Sequence, residues 1–181
     1  VAEINLNNLR YNYKQLMHIL KPSVRIMAMV KADAYGHGAV PVSKELAGLG
    51  VASLGVATVE EGLELRESGV AAPILVLGGL MGVGSAAAGM MVGASLTPVV
   101  HSAEVLDFLE ATAHATGKKI GIHLKIDTGM TRLGVMPQAL MHLLSRLKGC
   151  SSLRLDGVMT HLADAEDAVY TSQQIELFKT C

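Results

Sequence analysis

VRIMAMVKADAYGHG, residues 24–38, is the stretch from which the fold can be inferred. Its first part, Val24 to Val30, consists mostly of aliphatic and β-branched residues, a composition typical of a strand buried on both faces. Strands of that kind belong to parallel sheets that are covered by helices. Lys31 follows directly, and a lysine at the end of such a strand is unusual.

The residues after Lys31 suit a ligand site. Gly36 and Gly38 let the backbone pass close to a ligand, and the hydroxyl of Tyr35 can hold an anion. A partly desolvated lysine is a competent amine nucleophile or base. Lys31 is therefore the kind of group that binds pyridoxal 5'-phosphate (PLP) covalently. Considered by itself, it could equally be a surface lysine that caps a strand.

Four blocks of sequence, in the same order, resemble the alanine racemase family. VKADAYGHG (residues 30–38) is similar to the PLP-lysine motif of that family, and EINLNNLRYNYKQL (3–16), HLKIDTGMTRLG (123–134) and DGVMTHLADAED (156–167) are similar to its other motifs. The resemblance implies an N-terminal (β/α)8 barrel of PLP fold type III, followed by a C-terminal β domain. We therefore interpret residues 1–181 as a partial N-terminal PLP-binding barrel domain, with the C-terminal β domain absent and the chain truncated.

The hydrophobic pattern alternates between strand and helix periods along the whole chain. Strands are predicted at residues 24–30, 53–57, 73–77, 96–100, 119–126 and 153–160. Helices are predicted at residues 6–20, 40–49, 58–68, 103–116, 137–147 and 170–179. Six such units indicate a right-handed parallel α/β fold. A doubly wound sheet fits that count too, and the resemblance selects the barrel, which needs eight units and about 250 residues.

The block around residue 125 predicts a polar face on one strand. His123, Lys125 and Asp127 alternate with apolar residues and so point to the same side, where they can form a structural ion network. We expect Asp127 to fix the turn that follows. The resemblance implies more: Lys125 is a candidate for carbamylation and bonds Arg132, which contacts the cofactor's phenolic oxygen and helps to hold the substrate carboxylate.

Three further positions complete the predicted site. By resemblance, Tyr35 contacts the cofactor phosphate and His161 lies beside the cofactor ring. Leu77, at the end of the third strand, is expected to line the cofactor. Among the other histidines, those at positions 18, 101, 114 and 142 have no metal-ligand spacing, and we interpret them as surface groups. No metal is expected.

The implied reaction is racemisation of a small amino acid, L-alanine to D-alanine, which in bacteria supplies cell-wall peptidoglycan. Interconversion of enantiomers requires a base on each face of the substrate. Lys31 would serve one face, and in the family a tyrosine from the C-terminal domain of the partner subunit serves the other, which implies a homodimer. The alternative is a PLP-binding or inert barrel fragment without activity. We expect the isolated chain to be inactive or weakly active.

The amino-acid composition limits the possible binding partners and the cellular compartment. A net charge of −1 gives no electrostatic footprint for nucleic acid or an anionic membrane. The two cysteines, Cys150 and Cys181, lack CxxC spacing, which favours reduced thiols in a cytoplasmic protein.

One long stretch of the chain carries no charge. Residues 70–100 include no charged residue and six glycines. A transmembrane span is one interpretation of that stretch, but Pro73, Pro98 and the glycines favour a strand, a loop, a short apolar helix and another strand. We expect that helix to be buried against a partner subunit or a missing domain. The motif Gly82-Val-Gly84-Ser-Ala-Ala87 within it resembles a dinucleotide fingerprint, which we attribute to glycine abundance.

Overall fold

The computed structural model describes residues 3–80 and 84–181. It contains two compact units: unit 1 comprises Val1–Leu77 with Ala94–Leu96, and unit 2 comprises Gly78–Gly93 with Thr97–Cys181. Within the described ranges, each unit contains three parallel strands and four helical segments. The six alternating units of strand and helix predicted from the sequence are therefore confirmed.

Unit 1 is a three-stranded parallel sheet with helices between its strands. Its elements are α1 (Leu6–Ile19), β1 (Met27–Met29), the single helical turn α2 (Lys31–Gly36), α3 (Ala39–Gly48), β2 (Ser53–Val56), α4 (Val59–Glu67) and β3 (Ile74–Val76). Strand β2 lies in the middle, with Gly55 opposite Met29 of β1 and Leu75 of β3. Strand β1 is shorter than the predicted residues 24–30, although Val30 still donates a backbone hydrogen bond to Gly55 (2.9 Å).

Local capping explains where the unit 1 helices begin. The side chain of Asn5 accepts from the backbone N–H groups of Asn7 and Asn8 and so starts α1. Thr58 and Glu61 form the capping box of α4 that the sequence predicts. Both caps satisfy N–H groups that have no partner inside the helix.

Unit 2 repeats the alternation. Its elements are α5 (Gly84–Gly93), β4 (Thr97–Val100), α6 (Ala103–Thr116), β5 (Ile120–Lys125), α7 (Pro137–Lys148), β6 (Leu153–Met159) and α8 (Ala168–Thr180). Strand β5 is parallel to both β4 and β6, and the pairing with β6 shifts register between Ile122 and His123. Ile122 and Leu124 are fully buried or nearly so, as the predicted alternation of β5 requires.

The uncharged stretch forms the predicted strand, short apolar helix and strand. The buried residues of α5, which include Ala87, Ala88 and Met91, belong to a helix that packs against α6 of the same unit. The expectation that a partner subunit or a missing domain buries α5 is therefore wrong for the face that packs against α6. Met90, also on α5, is exposed. No helix in the described ranges is long and apolar enough to cross a membrane. Gly82 and Val83 of the glycine motif lie outside the described residues.

Candidate active site

Lys31 lies at the carboxyl end of β1. Val30, directly before it, is 1% exposed, whereas Lys31 is half-buried. Barrel enzymes of parallel strands carry their active sites at this end of the strands. The residues that follow Lys31 therefore decide where its amine is presented.

Those residues form a left-handed turn. Within α2, Ala32, Asp33, Ala34 and Tyr35 have φ between 50° and 55° and ψ between 39° and 53°. The left-handed region costs a residue with a Cβ atom roughly 1–2 kcal/mol, so four in a row are strained. The sequence does not predict this turn, because alanine carries no signal for positive φ. Strained backbone of this kind persists only where the surroundings hold it.

Several backbone hydrogen bonds stabilise the turn from within. Ala34 donates to the carbonyl of Val30 (2.9 Å), and Gly38 donates to the carbonyl of Asp33 (2.9 Å). The Asp33 side chain also accepts from the N–H of Ala39 (2.6 Å). Asp33 therefore joins the turn to the first residue of α3.

Glu61 of α4 holds the turn from outside. Its Oε1 accepts from the backbone N–H of Ala32 at 2.7 Å. Its Oε2 accepts from the N–H groups of Ala57 (2.7 Å) and Thr58 (3.3 Å), just after β2. One carboxylate thus connects the peptide after Lys31 to the neighbouring strand and helix. Glu61 thus does more than complete the capping box of α4.

The Lys31 amine lies close to an exposed phenol. Its Nζ lies 5.8 Å from the ring centroid of Tyr35, within the range of a cation–π contact, and Tyr35 is 59% exposed. A Cβ atom added to Gly36 would meet no atom within 4 Å. A half-buried lysine at a strand end, with a phenol close to its amine, fits what PLP requires of a protein. The phosphate contact of Tyr35 stays a prediction.

Leu77 lies next to the strand neighbouring the lysine. It follows β3, and a Cβ atom on Gly55 would come within 3.1 Å of Leu77 Cδ1 and would collide with Met29. The small residue at position 55 lets the Met29 side chain and Leu77 approach β2 closely, and a larger residue would displace the end of the Met29 side chain. Whether Leu77 lines a cofactor stays a prediction.

In unit 2, Asp127 organises the turn after β5. Its Oδ1 accepts from the N–H groups of Gly129 (2.9 Å) and Thr131 (3.0 Å), and its Oδ2 accepts from that of Arg132 (3.1 Å). Burial tends to raise the pKa of this carboxyl, but the three N–H groups and the positive charge of Lys125 outweigh it, so that its pKa lies below its ordinary value. The expectation that Asp127 fixes this turn is confirmed.

Arg132 is presented by that turn. Its side chain is exposed, and Thr131 before it has φ of 53°. Lys125, at the end of β5, is 5% exposed. A guanidinium at this position is suited to recognition of a carboxylate. The substrate contact of Arg132 and the carbamylation of Lys125 stay predictions.

His161 follows β6, and the loop around it is held by α8. Gln174, 1% exposed, accepts from Ala163 N–H (2.9 Å) and donates to the His161 carbonyl (3.3 Å) and to Thr128 Oγ1 (3.2 Å). Thr128 in turn shares a hydrogen bond of 2.7 Å with Thr160. The turn after β5 and the loop after β6 are thereby joined. Sequence reasoning misses Gln174, because a polar residue on a helix normally faces solvent.

His101 is not the surface residue that the sequence suggests. It follows β4 and is only partly exposed, and its Nδ1 is buried without a hydrogen-bond partner among the described residues. Burial, followed by the positive charge of Lys125, lowers its pKa below the ordinary value. Its position at a strand end could have indicated this environment, since strand ends in parallel folds face the site.

Comparison with known proteins decides the family. The model of the family "Alanine racemase, N-terminal domain" matches residues 4–181. An alanine racemase of Halothermothrix orenii is 39% identical over 180 residues, covering 98% of this chain and 47% of that protein. A solved alanine racemase of Clostridium difficile 630 superposes with a TM-score of 0.91 at 36% identity, covering 97% of this chain and 49% of that one.

The chain belongs to the alanine racemase N-terminal domain family. The predicted fold class, an α/β parallel barrel of PLP fold type III with about six of its eight units, is confirmed. The family is PLP-dependent, and its membership therefore confirms PLP as the predicted cofactor. The chain spans about half the length of the curated relatives it matches.

Membership of the family fixes the fold more narrowly than the substrate. A solved histidine racemase from Leuconostoc mesenteroides also matches, with a TM-score of 0.81 at 25% identity over 96% of this chain. The same fold is therefore found both in alanine racemases and in a histidine racemase.

Proposed function

We propose that the complete natural polypeptide to which these residues belong is an alanine racemase, which interconverts L-alanine and D-alanine with PLP. The observation that carries the proposal is the position of Lys31 at the end of β1, where it begins a left-handed turn and its amine lies 5.8 Å from the Tyr35 ring. The high identity to curated alanine racemases supports alanine as the substrate. Histidine is the second candidate, because a histidine racemase shares the fold.

In this proposal Lys31 has two roles. Its Nζ would hold the cofactor aldehyde, and its amine, when free, would take the substrate Cα proton on one face or return it. PLP supplies the electron sink that makes this proton removable. Return of the proton on the opposite face requires a second base, which we expect from the partner subunit of a homodimer.

In this proposal the other predicted residues bind and orient the cofactor and the substrate. Tyr35, whose ring centroid lies 5.8 Å from the Lys31 amine, would donate a hydrogen bond to the cofactor phosphate. The guanidinium of Arg132 would hold the substrate carboxylate, with its backbone fixed by Asp127. Leu77 and His161 would pack beside the cofactor, and Lys125 would support Arg132 as a carbamate. We further propose a cytoplasmic enzyme that supplies D-alanine for peptidoglycan.

The test is a chiral assay of the complete polypeptide with L-alanine, D-alanine and L-histidine. We expect equilibration of the two alanine enantiomers and a fall of at least 10⁴-fold in turnover for Lys31→Ala, because both the cofactor link and one base are lost. Lys44→Ala is the matched control, since Lys44 lies on α3 outside the proposed site. Unchanged turnover in Lys31→Ala would exclude the proposed role of Lys31. Faster turnover of histidine than of alanine would show that histidine, and not alanine, is the substrate.

A second assay concerns these 181 residues alone. We expect them to racemise alanine poorly or not at all, since the second base lies elsewhere in the proposal. Robust alanine turnover by this segment would contradict that expectation.

A further inference from the structure

We propose that Glu61 is a positioning residue for the PLP lysine: its carboxylate holds the Lys31–Ala32 peptide in the left-handed turn and so keeps the Lys31 amine available to the cofactor. The inference rests on the proposed role of Lys31. It assigns to Glu61 a task beyond its place in the capping box of α4.

The Glu61 carboxylate forms more hydrogen bonds than a helix cap needs. Its two carboxylate oxygens accept three backbone N–H groups, from Ala32, Ala57 and Thr58. A helix cap alone needs only the bond to Thr58 N–H, which is the longest of the three at 3.3 Å. The two short bonds, both 2.7 Å, go to residues outside α4. Most of the hydrogen bonding of this carboxylate is therefore directed to the loops after β1 and β2.

The position of Ala32 links Glu61 to the lysine. The Ala32 N–H belongs to the same peptide group as the Lys31 carbonyl, so its orientation is coupled to the direction in which the chain leaves Lys31. Ala32 itself is exposed and is the first of the four left-handed residues. An exposed residue in a strained conformation needs an anchor, and the bond from Ala32 N–H to Glu61 Oε1 provides it.

The chemistry of the acceptors makes a sharp substitution available. All three partners of the carboxylate are N–H donors, so an amide at position 61 must turn its NH2 group toward a donor in either orientation. Glu61→Gln keeps the shape of the side chain and breaks one side of the bridge. We expect the left-handed turn to be less populated as a result, and the apparent affinity for PLP to fall by the same factor.

Two control variants separate this role from helix capping. Thr58→Ala removes the hydroxyl that accepts from Glu61 N–H (3.3 Å) but leaves the carboxylate in place. Glu60→Gln makes the same charge change one residue away, on an exposed side chain. A capping role alone predicts that Glu61→Gln behaves like Thr58→Ala.

The experiment uses the complete polypeptide freed of PLP. Each variant is incubated with a series of PLP concentrations and reduced with borohydride, and the label on Lys31 is quantified by peptide mapping. We expect Glu61→Gln to need at least tenfold more PLP for half-maximal labelling of Lys31 and to reach the wild-type level at saturation. Thr58→Ala and Glu60→Gln should stay within twofold of the wild type, although Thr58→Ala lowers the melting temperature. Equal PLP dependence for Glu61→Gln and the wild type would overturn the proposal.

A second measurement needs no variant. Amide hydrogen exchange of the cofactor-free wild type should show the Ala32 N–H slowed at least tenfold relative to an unprotected amide, despite the exposure of Ala32. Exchange at the unprotected rate would overturn the proposal even if Glu61→Gln failed to fold. If Lys31 of the wild type takes no label while its Ala32 amide is protected, the proposed function fails and the holding of the turn by Glu61 stands.

Discussion

The turn after β1 and the turn after β5 meet the same structural demand in different ways. Both follow the carboxyl end of a parallel strand, and both contain residues with a Cβ atom at positive φ, Ala32 among four in the first and Thr131 in the second. The first turn is held by Glu61, 29 residues further along the chain. The second is held by Asp127, which lies two to five residues from its partners. A turn that carries its own acceptor can be predicted from local sequence, whereas a turn held from a distance cannot.

The largest effect that we expect on stability tests the locally held turn. Asp127→Ala leaves three backbone N–H groups without their charged acceptor at a side chain that is only 6% exposed. We expect a loss of about 3 kcal/mol in the free energy of unfolding, given that hydrogen bonds to charged groups contribute roughly 1.5–3 kcal/mol each and water replaces part of them. Denaturant unfolding measures this loss, and Asp127→Asn should fall between wild type and alanine. A loss under about 0.5 kcal/mol would show that the turn holds itself.

A smaller effect tests the strained turn after β1. Ala32→Gly should stabilise the protein by up to about 1 kcal/mol, since glycine avoids most of the left-handed cost and loses part of the gain to its greater freedom when unfolded. The same substitution at Ala111, exposed in the right-handed helix α6, should destabilise it by about 1 kcal/mol. Opposite signs in thermal unfolding are the expected result. Destabilisation of similar size at both sites would mean that residue 32 is not left-handed.

The smallest effect concerns pH and the residues near Lys125 in unit 2. Burial is the largest cause that lowers the pKa of His101, so the unfolded chain binds this proton more readily than the folded one. Stability from neutral His101 is therefore present above its ordinary pKa and decreases as the pH falls below about 6.5. His101→Asn should flatten the decline in unfolding free energy between about pH 7 and pH 5. An unchanged decline would assign it to other groups, such as His123, whose pKa burial also lowers.

The sequence predicts the elements well because their signals are local. The capping box of α4, the start of α7 at Pro137 and the end of α6 before Gly117 all lie where the pattern places them. Asp127 is predictable for the same reason. These signals depend on neighbours within a few residues.

Three features escape prediction because they depend on residues far apart in sequence. The residues Ala32 to Tyr35 do not indicate four successive left-handed conformations. Gln174 on α8 gives no sign that it will be buried against the loop of His161, 13 residues away. His101 looks like a surface residue until the packing around it removes solvent from Nδ1.

The proposed function depends on the Lys31 amine at the end of β1. Its most direct test is to map the site of PLP attachment on the complete polypeptide after borohydride reduction. We expect the label on the peptide that contains Lys31, and none on the peptide that contains the buried Lys125. Saturable labelling at Lys31, competed by alanine, is the predicted result. Labelling at another lysine while Lys31 stays unmodified would contradict the account.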